Sequence, residues 1–293
     1  MASIDHSEVG MLSVVVALRN DDHGGDQARR VHTFLQTLTA LSNRHGLDIE
    51  IVAVEWNPPS DRPPLKDMVP WPGCTRIITV PQELHGQYKN SEHLDFYQMI
   101  AKNVGIRRAK GDWIVATNPD LVFSNNLVAY LANAKLDAAK LYRAIRHDLK
   151  KPYVEGNTVD EVLDFCSRSV ERVNDGVFMG LHTHACGDFT LLHRSAWDDL
   201  RGYPEFDLWS IHIDSVLVGM AQAAGYKEIV FQKDCCVYHI KHSRSWVENP
   251  ELAQRFPHLS VANNLVPLFK TMQKHGMPLQ YNKPGWGLAN EQL

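Results

Sequence analysis

Hydrophobic positions in the first 120 residues follow two alternating rhythms. Short β-branched runs occupy 11–20, 47–56 ("LDIEIVAVEW"), 75–81 ("TRIITVP") and the stretch "DWIVATN" that ends at Asn118. Each reads as a buried strand. Between them, Val31, Phe34, Leu35, Leu38 and Leu41 recur at helical spacing in a segment that starts near Asp26. Phe96, Ile100 and Val104 do the same within 94–111, where Gly111 fits a helix C-cap. Strands alternating with helices predict βαβ units on a mostly parallel sheet. Such a sheet binds ligands beyond the carboxyl ends of its strands. Three of those ends are polar: Arg19-Asn20, Glu55-Trp56-Asn57 and Asn118-Pro119-Asp120. Pro119 lacks a ladder donor and stops its strand, leaving an amide and a carboxylate at the tip.

After residue 125 the pattern predicts a helix over 125–134 and a strand over 137–146. An amphipathic helix follows over 159–173, with Val159, Val162, Leu163, Cys166, Val170 and Val173 on or near one face. A strand, short helix and Gly-Tyr-Pro turn span 187–205, a helix spans 213–226, and one or two strands lie in 227–243. From Ser245 the tail has helical stretches, and with its Gly/Pro-rich end "NKPGWGLANEQL" it is expected either to pack on the domain or to be partly mobile.

Composition narrows the function classes. The 293 residues suffice for one large domain or two small ones, and 44% hydrophobic with 22% charged residues is ordinary for a globular protein. A net charge of −4 argues against a general nucleic-acid binder. The five cysteines include one adjacent pair and no C-x-x-C, which is neither a disulfide framework nor a zinc knuckle. His182, His184 and Cys186 in "HTHACGD" have no second ligand cluster, so zinc is not expected. The polar start "MASIDHSEVG" lacks a signal-peptide pattern, and no apolar run approaches the roughly 20 residues of a membrane span. A reducing, cytoplasmic setting is the expectation. The loop "RNDDHGGDQARR" has no G-x-G-x-x-G, which excludes the dinucleotide-binding reading, and a P-loop is also absent.

Four segments, in order, resemble the nucleotide-sugar glycosyltransferases of the GT-A fold, of the large family-2 type. They are "LSVVVALRN", "NVGIRRAKGDWIVATNPD", "GDFTLLHRSAWDDLRGYPE", and "HIDSVLVGMAQAAGY" followed by "VYHIKHS". Together they cover roughly 11–242. The resemblance implies an α/β, GT-A (nucleotide-diphospho-sugar transferase) fold with a mixed, mostly parallel central sheet flanked by helices. It would occupy 1–244, with a nucleotide-binding half over about 11–124, an acceptor and catalytic half over 125–244, and a helical extension over 245–293. The implied activity is transfer of a sugar from a nucleotide-diphosphate donor to a hydroxyl acceptor, glycan, lipid-linked or small. Oligomeric state, and contact with a membrane surface, stay open.

The family carries an Asp-x-Asp signature after its fourth strand, which reads Asn118-Pro119-Asp120 here. The resemblance makes Asn118 a sugar or ribose contact and Asp120 a ligand to a divalent cation, Mn²⁺ or Mg²⁺. His239 stands where the family adds a late histidine ligand, and imidazole suits Mn²⁺ better. His242, in an extended segment, would face away from His239. Asn118→Asp is expected to strengthen metal binding. The family places its general base ahead of a Gly-aromatic pair, so the resemblance, counted back from Gly225-Tyr226, makes Asp214 the base of an inverting transfer, although Ile213 stands where the family often has Glu. Asp214 also suits the first turn of a helix, and His212 is a second base or an acceptor contact. Gly187 and Asp188 would meet donor or acceptor hydroxyls, and Trp209 would stack on an acceptor ring or plug the core beneath its helix. Ala17, Leu18, Arg19 and Glu55 would hold the nucleotide, with Asn103 or Arg107 reaching the diphosphate. Arg108 and Lys110 read as helix-surface charge. A second reading, a non-catalytic nucleotide-sugar or glycan-binding protein on the same fold, rests on the missing acid at 118.

Overall fold

The computed structural model describes residues 10–243 and 255–293. The polar stretch 1–9 and the expected boundary at 244/245 lie outside the described residues. In chain order the elements are β1 (Leu12–Leu18), α1 (Gln27–His45), β2 (Ile49–Trp56), β3 (Thr75–Val80), α2 (Gln82–His85), α3 (Gln98–Arg108), β4 (Trp113–Thr117), β5 (Leu121–Phe123), α4 (Asn125–Asn133), β6 (Lys140–Arg143) and β7 (Ile145–Leu149). There follow α5 (Val159–Arg168), β8 (Val170–Asn174), β9 (Val177–Phe178), β10 (Leu181–His182), β11 (Phe189–His193), α6 (Arg194–Leu200), α7 (Ile213–Ala223), β12 (Lys227–Val230), β13 (Cys236–His239) and α8 (Val266–His275).

Seven strands form the main sheet in the order β12-β6-β11-β4-β1-β2-β3. It is parallel except at β11, which runs antiparallel to both β4 and β6. This is the mixed, mostly parallel α/β sheet expected from the sequence. Every residue of β1 is buried because both faces are covered. Val14, Val16 and Leu18 meet Val31, Phe34, Leu35, Leu38 and Leu41 of α1 in one layer. Val15 and Ala17 meet Ile100 and Val104 of α3 in the other. A second, four-stranded sheet has the order β5-β13-β7-β8. The chain leaves the main sheet at Thr117, passes through Asn118-Pro119-Asp120, and enters the second sheet at Leu121.

Several boundaries differ from the expected ones. The predicted strand 137–146 splits at Ala144 into β6 and β7, which belong to different sheets. The predicted helix 159–173 ends at Arg168, and β8 then pairs with β7. Sheet pairing overrides the apolar spacing of Val170 and Val173. Gly111 is not the cap of α3, since Ala109 holds that position. It is instead a point of close backbone approach, where an added Cβ would lie 2.2 Å from the Met11 carbonyl oxygen.

The tail takes the packed one of its two expected arrangements. Phe269 and Met272 of α8 are buried against α7 at Gly219, where a Cβ would come within 2.8 Å of the Met272 methyl. Asn282 Nδ2 donates to the carbonyls of Arg201 (2.7 Å) and Tyr203 (2.6 Å). Arg108 donates to the carbonyls of Gly287 (2.7 Å) and Leu288 (2.6 Å), so it clamps the tail instead of serving as surface charge.

Gly105, in the middle of α3, tests the packing of that helix on the sheet. Alanine would gain about 1 kcal/mol of helix propensity. Its Cβ, however, would sit 2.5 Å from Val15 Cγ1 and 3.1 Å from Val54 Cγ2, both in fully buried strands. Overpacking of this kind costs about 1–3 kcal/mol and prevails. Gly105→Ala is expected to lower the denaturant midpoint with an unchanged m-value; a raised midpoint would contradict the packing described.

Candidate functional site

A cleft of about 1410 Å³ opens beyond the carboxyl ends of β1 and β4. Ala17, Leu18 and Arg19 line it from the end of β1, Asn118 and Asp120 from the turn after β4, and Asp214 from α7. A smaller pocket of about 210 Å³ adjoins it around Arg19, Asn57 and Asp95. Arg30 of α1 also faces the cleft, where it donates to the carbonyls of His23 and Gly25.

Asp120, His239 and His242 converge at one point, their ligand atoms within 4.8 Å of one another. Asp120 Oδ2 lies 3.6 Å from His239 Nε2 and 3.2 Å from His242 Nε2. The expected pair is brought together, and His242 joins it against expectation. β13 ends at His239, and the Ile240 amide donates to the Asp120 carbonyl at 3.0 Å, so the strict alternation of an extended strand stops there. Gly24 lets a loop close over the ring: its φ is +72°, and a Cβ there would meet His242 at 2.8 Å.

The donors fit a divalent cation. Asp120 Oδ1 is buried and has no hydrogen-bond partner among the described residues. His239 Nδ1 lies 3.2 Å from Asp148 Oδ1, which fixes the ring and leaves Nε2 for an ion. One carboxylate and two imidazoles suit Mn²⁺ better than Mg²⁺, which prefers all-oxygen ligands. Among the described residues no other such cluster occurs. His182, His184 and Cys186 do not converge: His182 Nε2 meets the Asn174 carbonyl at 3.0 Å and Cys186 Sγ meets Ser215 Oγ at 3.5 Å.

A line of alternating charge runs from this cluster along the cleft. Arg146 Nε is 2.8 Å from Asp148 Oδ1, and Arg146 Nη1 donates to Asp188 Oδ2 at 2.9 Å. Asp188 Oδ1 in turn accepts from Asn118 Nδ2 at 2.6 Å. Asn118 Oδ1 accepts from Gln98 Nε2 at 3.0 Å. The Asn118 side chain is thus directed to Asp188 rather than to the cation ligands. An acid at 118 would confront another acid, which withdraws the expectation that it would strengthen metal binding.

Asp214 stands in the first turn of α7 and is half-buried. Its Oδ2 accepts from the Gly187 amide at 2.7 Å, and its Oδ1 accepts from the Ser215 amide at 2.8 Å. Gly187 is held from its other side by Lys102, a fully buried ammonium that donates to its carbonyl at 2.7 Å. Burial lowers Lys102 to about 8 despite the opposing pull of Asp188, Asp214 and Asp120. His212, in the left-handed region at the N-cap of α7, lines the cleft beside Asp214. Burial lowers the His212 pKa and His258 adds to that shift, against the pull of Asp214. Trp209 forms part of an aromatic wall, its ring 5.7 Å from that of Phe256.

Three expected contacts lie elsewhere. Both oxygens of Glu55 are engaged, by the Leu65 amide (2.7 Å) and the Thr79 hydroxyl (3.0 Å), and the side chain pins the β2–β3 loop. Asn103 is fully buried, donating to the Tyr203 carbonyl (2.8 Å) and accepting from the Tyr203 amide (2.8 Å). Arg107 stacks over Trp286 at 4.9 Å. Neither Asn103 nor Arg107 lines the cleft. Asp148, Arg146, Lys102 and His242 were not among the expected site residues. Asp148 and Arg146 share the run "AIRHDL", where charged residues interrupt an apolar strand, and that interruption was the available signal.

Burial disfavours the His239 imidazolium, yet Asp120 and Asp148 outweigh it and raise this group to about 9. In the metal-free protein that stabilisation is full below the ordinary value near 6.5 and is lost as pH rises through about 9. A cation must displace the same proton. Mn²⁺ affinity is therefore expected to rise by about tenfold per pH unit between roughly 7 and 9 and then level off. His242→Ala should weaken it throughout. Calorimetric titration across this range checks both, and an affinity flat from pH 6 to 9 would remove His239 as a ligand.

No protein-family model matches the chain, and no curated protein matches it in sequence. Among solved structures it is similar to the catalytic domain of Drosophila β1,4-galactosyltransferase 7 in complex with xylobiose. That match has 14% identity over 86% of this chain and 82% of the other, with a TM-score of 0.42. A mutant of the same Drosophila enzyme, in complex with manganese, UDP-Gal and xylobiose, is similar at 14% identity over 88% of this chain and 79% of the other, with a TM-score of 0.45.

Proposed function

We propose that this chain is a glycosyltransferase that moves a hexosyl unit from a nucleoside-diphosphate sugar to a hydroxyl acceptor with inversion. The observation that carries the reading is that the Asp120–His239–His242 cluster and the carboxylate of Asp214 open on one cleft at the strand ends. Asp120, His239 and His242 would hold a divalent cation, Mn²⁺ in preference to Mg²⁺. When bound, that cation supplies positive charge toward a leaving diphosphate. Arg19 and Arg30 add fixed positive charge on the same side.

The first four strands of the main sheet form the nucleotide half. Ala17, Leu18 and Arg19 flank the nucleotide, and the pocket around Arg19 and Asn57 is of a size for its base. The acceptor half contributes Asp214, Trp209 and His212. Asp214 takes the proton of the acceptor hydroxyl as that oxygen attacks the anomeric carbon. The amides of Gly187 and Ser215 hold the carboxylate in place. Asp188 is almost fully buried and ion-paired with Arg146, which suits it to positioning the donor sugar rather than to taking a proton. Trp209 offers a flat apolar face to an acceptor ring. No described helix is long and apolar enough to cross a membrane. All five cysteines are free thiols, which suits a reducing, cytoplasmic setting.

Asp214→Asn is the deciding variant. It preserves shape and the first-turn position while removing the proton acceptor. Turnover is expected to fall by about 10²–10⁴, with nucleotide affinity unchanged. Near-normal turnover would pass the role to His212. A product that keeps the donor's anomeric configuration would reject the single-base mechanism.

A further inference from the structure

Asn118 and Asp188 meet on the floor of the cleft, one at the end of β4 and the other in the turn that opens β11. Their four side-chain polar atoms have defined directions. Gln98 donates to the oxygen of Asn118, the nitrogen of Asn118 donates to one oxygen of Asp188, and Arg146 donates to the other. Asp188 is 4% exposed, so its charge is desolvated and depends on these partners. Arg146 is shared between Asp188 and Asp148, the carboxylate that orients His239.

We propose that residues 118 and 188 work as one positioning unit, which presents a single negative charge to the cleft floor and to Arg146. That charge can stand at either position, but it can be neither doubled nor deleted without loss. The hydrogen-bond directions carry the argument. With a carboxylate at 118 and an amide at 188, the group at 118 still accepts from Gln98. It also accepts from the amide nitrogen at 188, whose oxygen then accepts from Arg146. All three contacts survive with the charge moved by one side chain. Two carboxylates at the present 2.6 Å would put two anionic oxygens in contact with no proton between them. Two amides could rotate to keep their hydrogen bonds, but Arg146 would lose one of its two carboxylate partners. The charge resides at 188 in this chain because Arg146 reaches that position.

The hydrogen-bond cycle stands by itself; only the use of the charge, to accept hydrogen bonds from donor hydroxyls, rests on the transferase reading. The test compares four full-length proteins: the parent, Asn118→Asp, Asp188→Asn, and the double exchange. Unfolding midpoints are measured, together with Mn²⁺-dependent hydrolysis of a panel of nucleoside-diphosphate sugars. Asn118→Asp should lower the midpoint by about 5 °C. Asp188→Asn should cost less stability but raise the KM for the donor by about tenfold. The double exchange should return the midpoint to within about 2 °C of the parent and most of the KM, a coupling that independent sites do not show. Losses that simply add in the double variant, or an Asn118→Asp protein as stable as the parent, overturn the proposal. If the parent hydrolyses no donor, the transferase reading fails, and the midpoints alone decide the charge unit.

Discussion

The cleft depends on the antiparallel pairing of β5 with β13. β5 is only three residues long, yet its register sets His239 opposite Leu121, and the Ile240 amide closes on the Asp120 carbonyl. That single alignment places an imidazole from late in the chain beside the acid of the turn that follows the fourth strand. Side chains alternate along a strand, so a slip of one residue would turn His239 to the other face and scatter the cluster. Pro119 makes the alignment possible. It cannot continue the ladder of β4, so the chain must leave the main sheet here and begin a strand in the second one.

Charge is distributed along the cleft in alternation. Asp120, His239, Asp148, Arg146 and Asp188 form a row in which each group touches one of opposite sign. Partly buried ions are costly to desolvate, and a row of this kind is weak evidence for stability on its own account. What it provides is order: each side chain is held from both sides, and little rotamer freedom remains at the point where a ligand would arrive. Arg146 is the shared member, so the geometry around the cation ligands and the geometry around Asn118 are not independent.

The sheet was legible in the sequence to the extent that its strands are short β-branched runs buried on both faces. β1 to β4 fall where the apolar runs predict them, as do α1 and α7. Asp120, His239 and Asp214 share one cleft, as expected from motif order. The remainder was hidden for identifiable reasons. His242 is hidden because period-2 alternation does not extend past a strand that stops at His239. Glu55 and Asn103 look like ligands in one dimension, but the β2–β3 loop and the turn at Tyr203 use up their polar atoms. Arg146 and Lys102 acquire meaning only from Asp188 and Gly187, which are 42 and 85 residues away along the chain.

The tail clamp has a kinetic consequence. Arg108 holds the carbonyls of Gly287 and Leu288 across 179 and 180 residues of sequence. Contacts of such separation close long loops, and they gain nothing until their platform exists. The platform is α3, which must first lie against β1 and β2. Bonds that form only after the rate-limiting barrier act mainly on the rate of unfolding, and sequence separation makes the clamp a candidate for that class. Loosening the hold of Arg108 on Gly287 and Leu288 would then shorten the lifetime of the native state more than it slows the reaching of it.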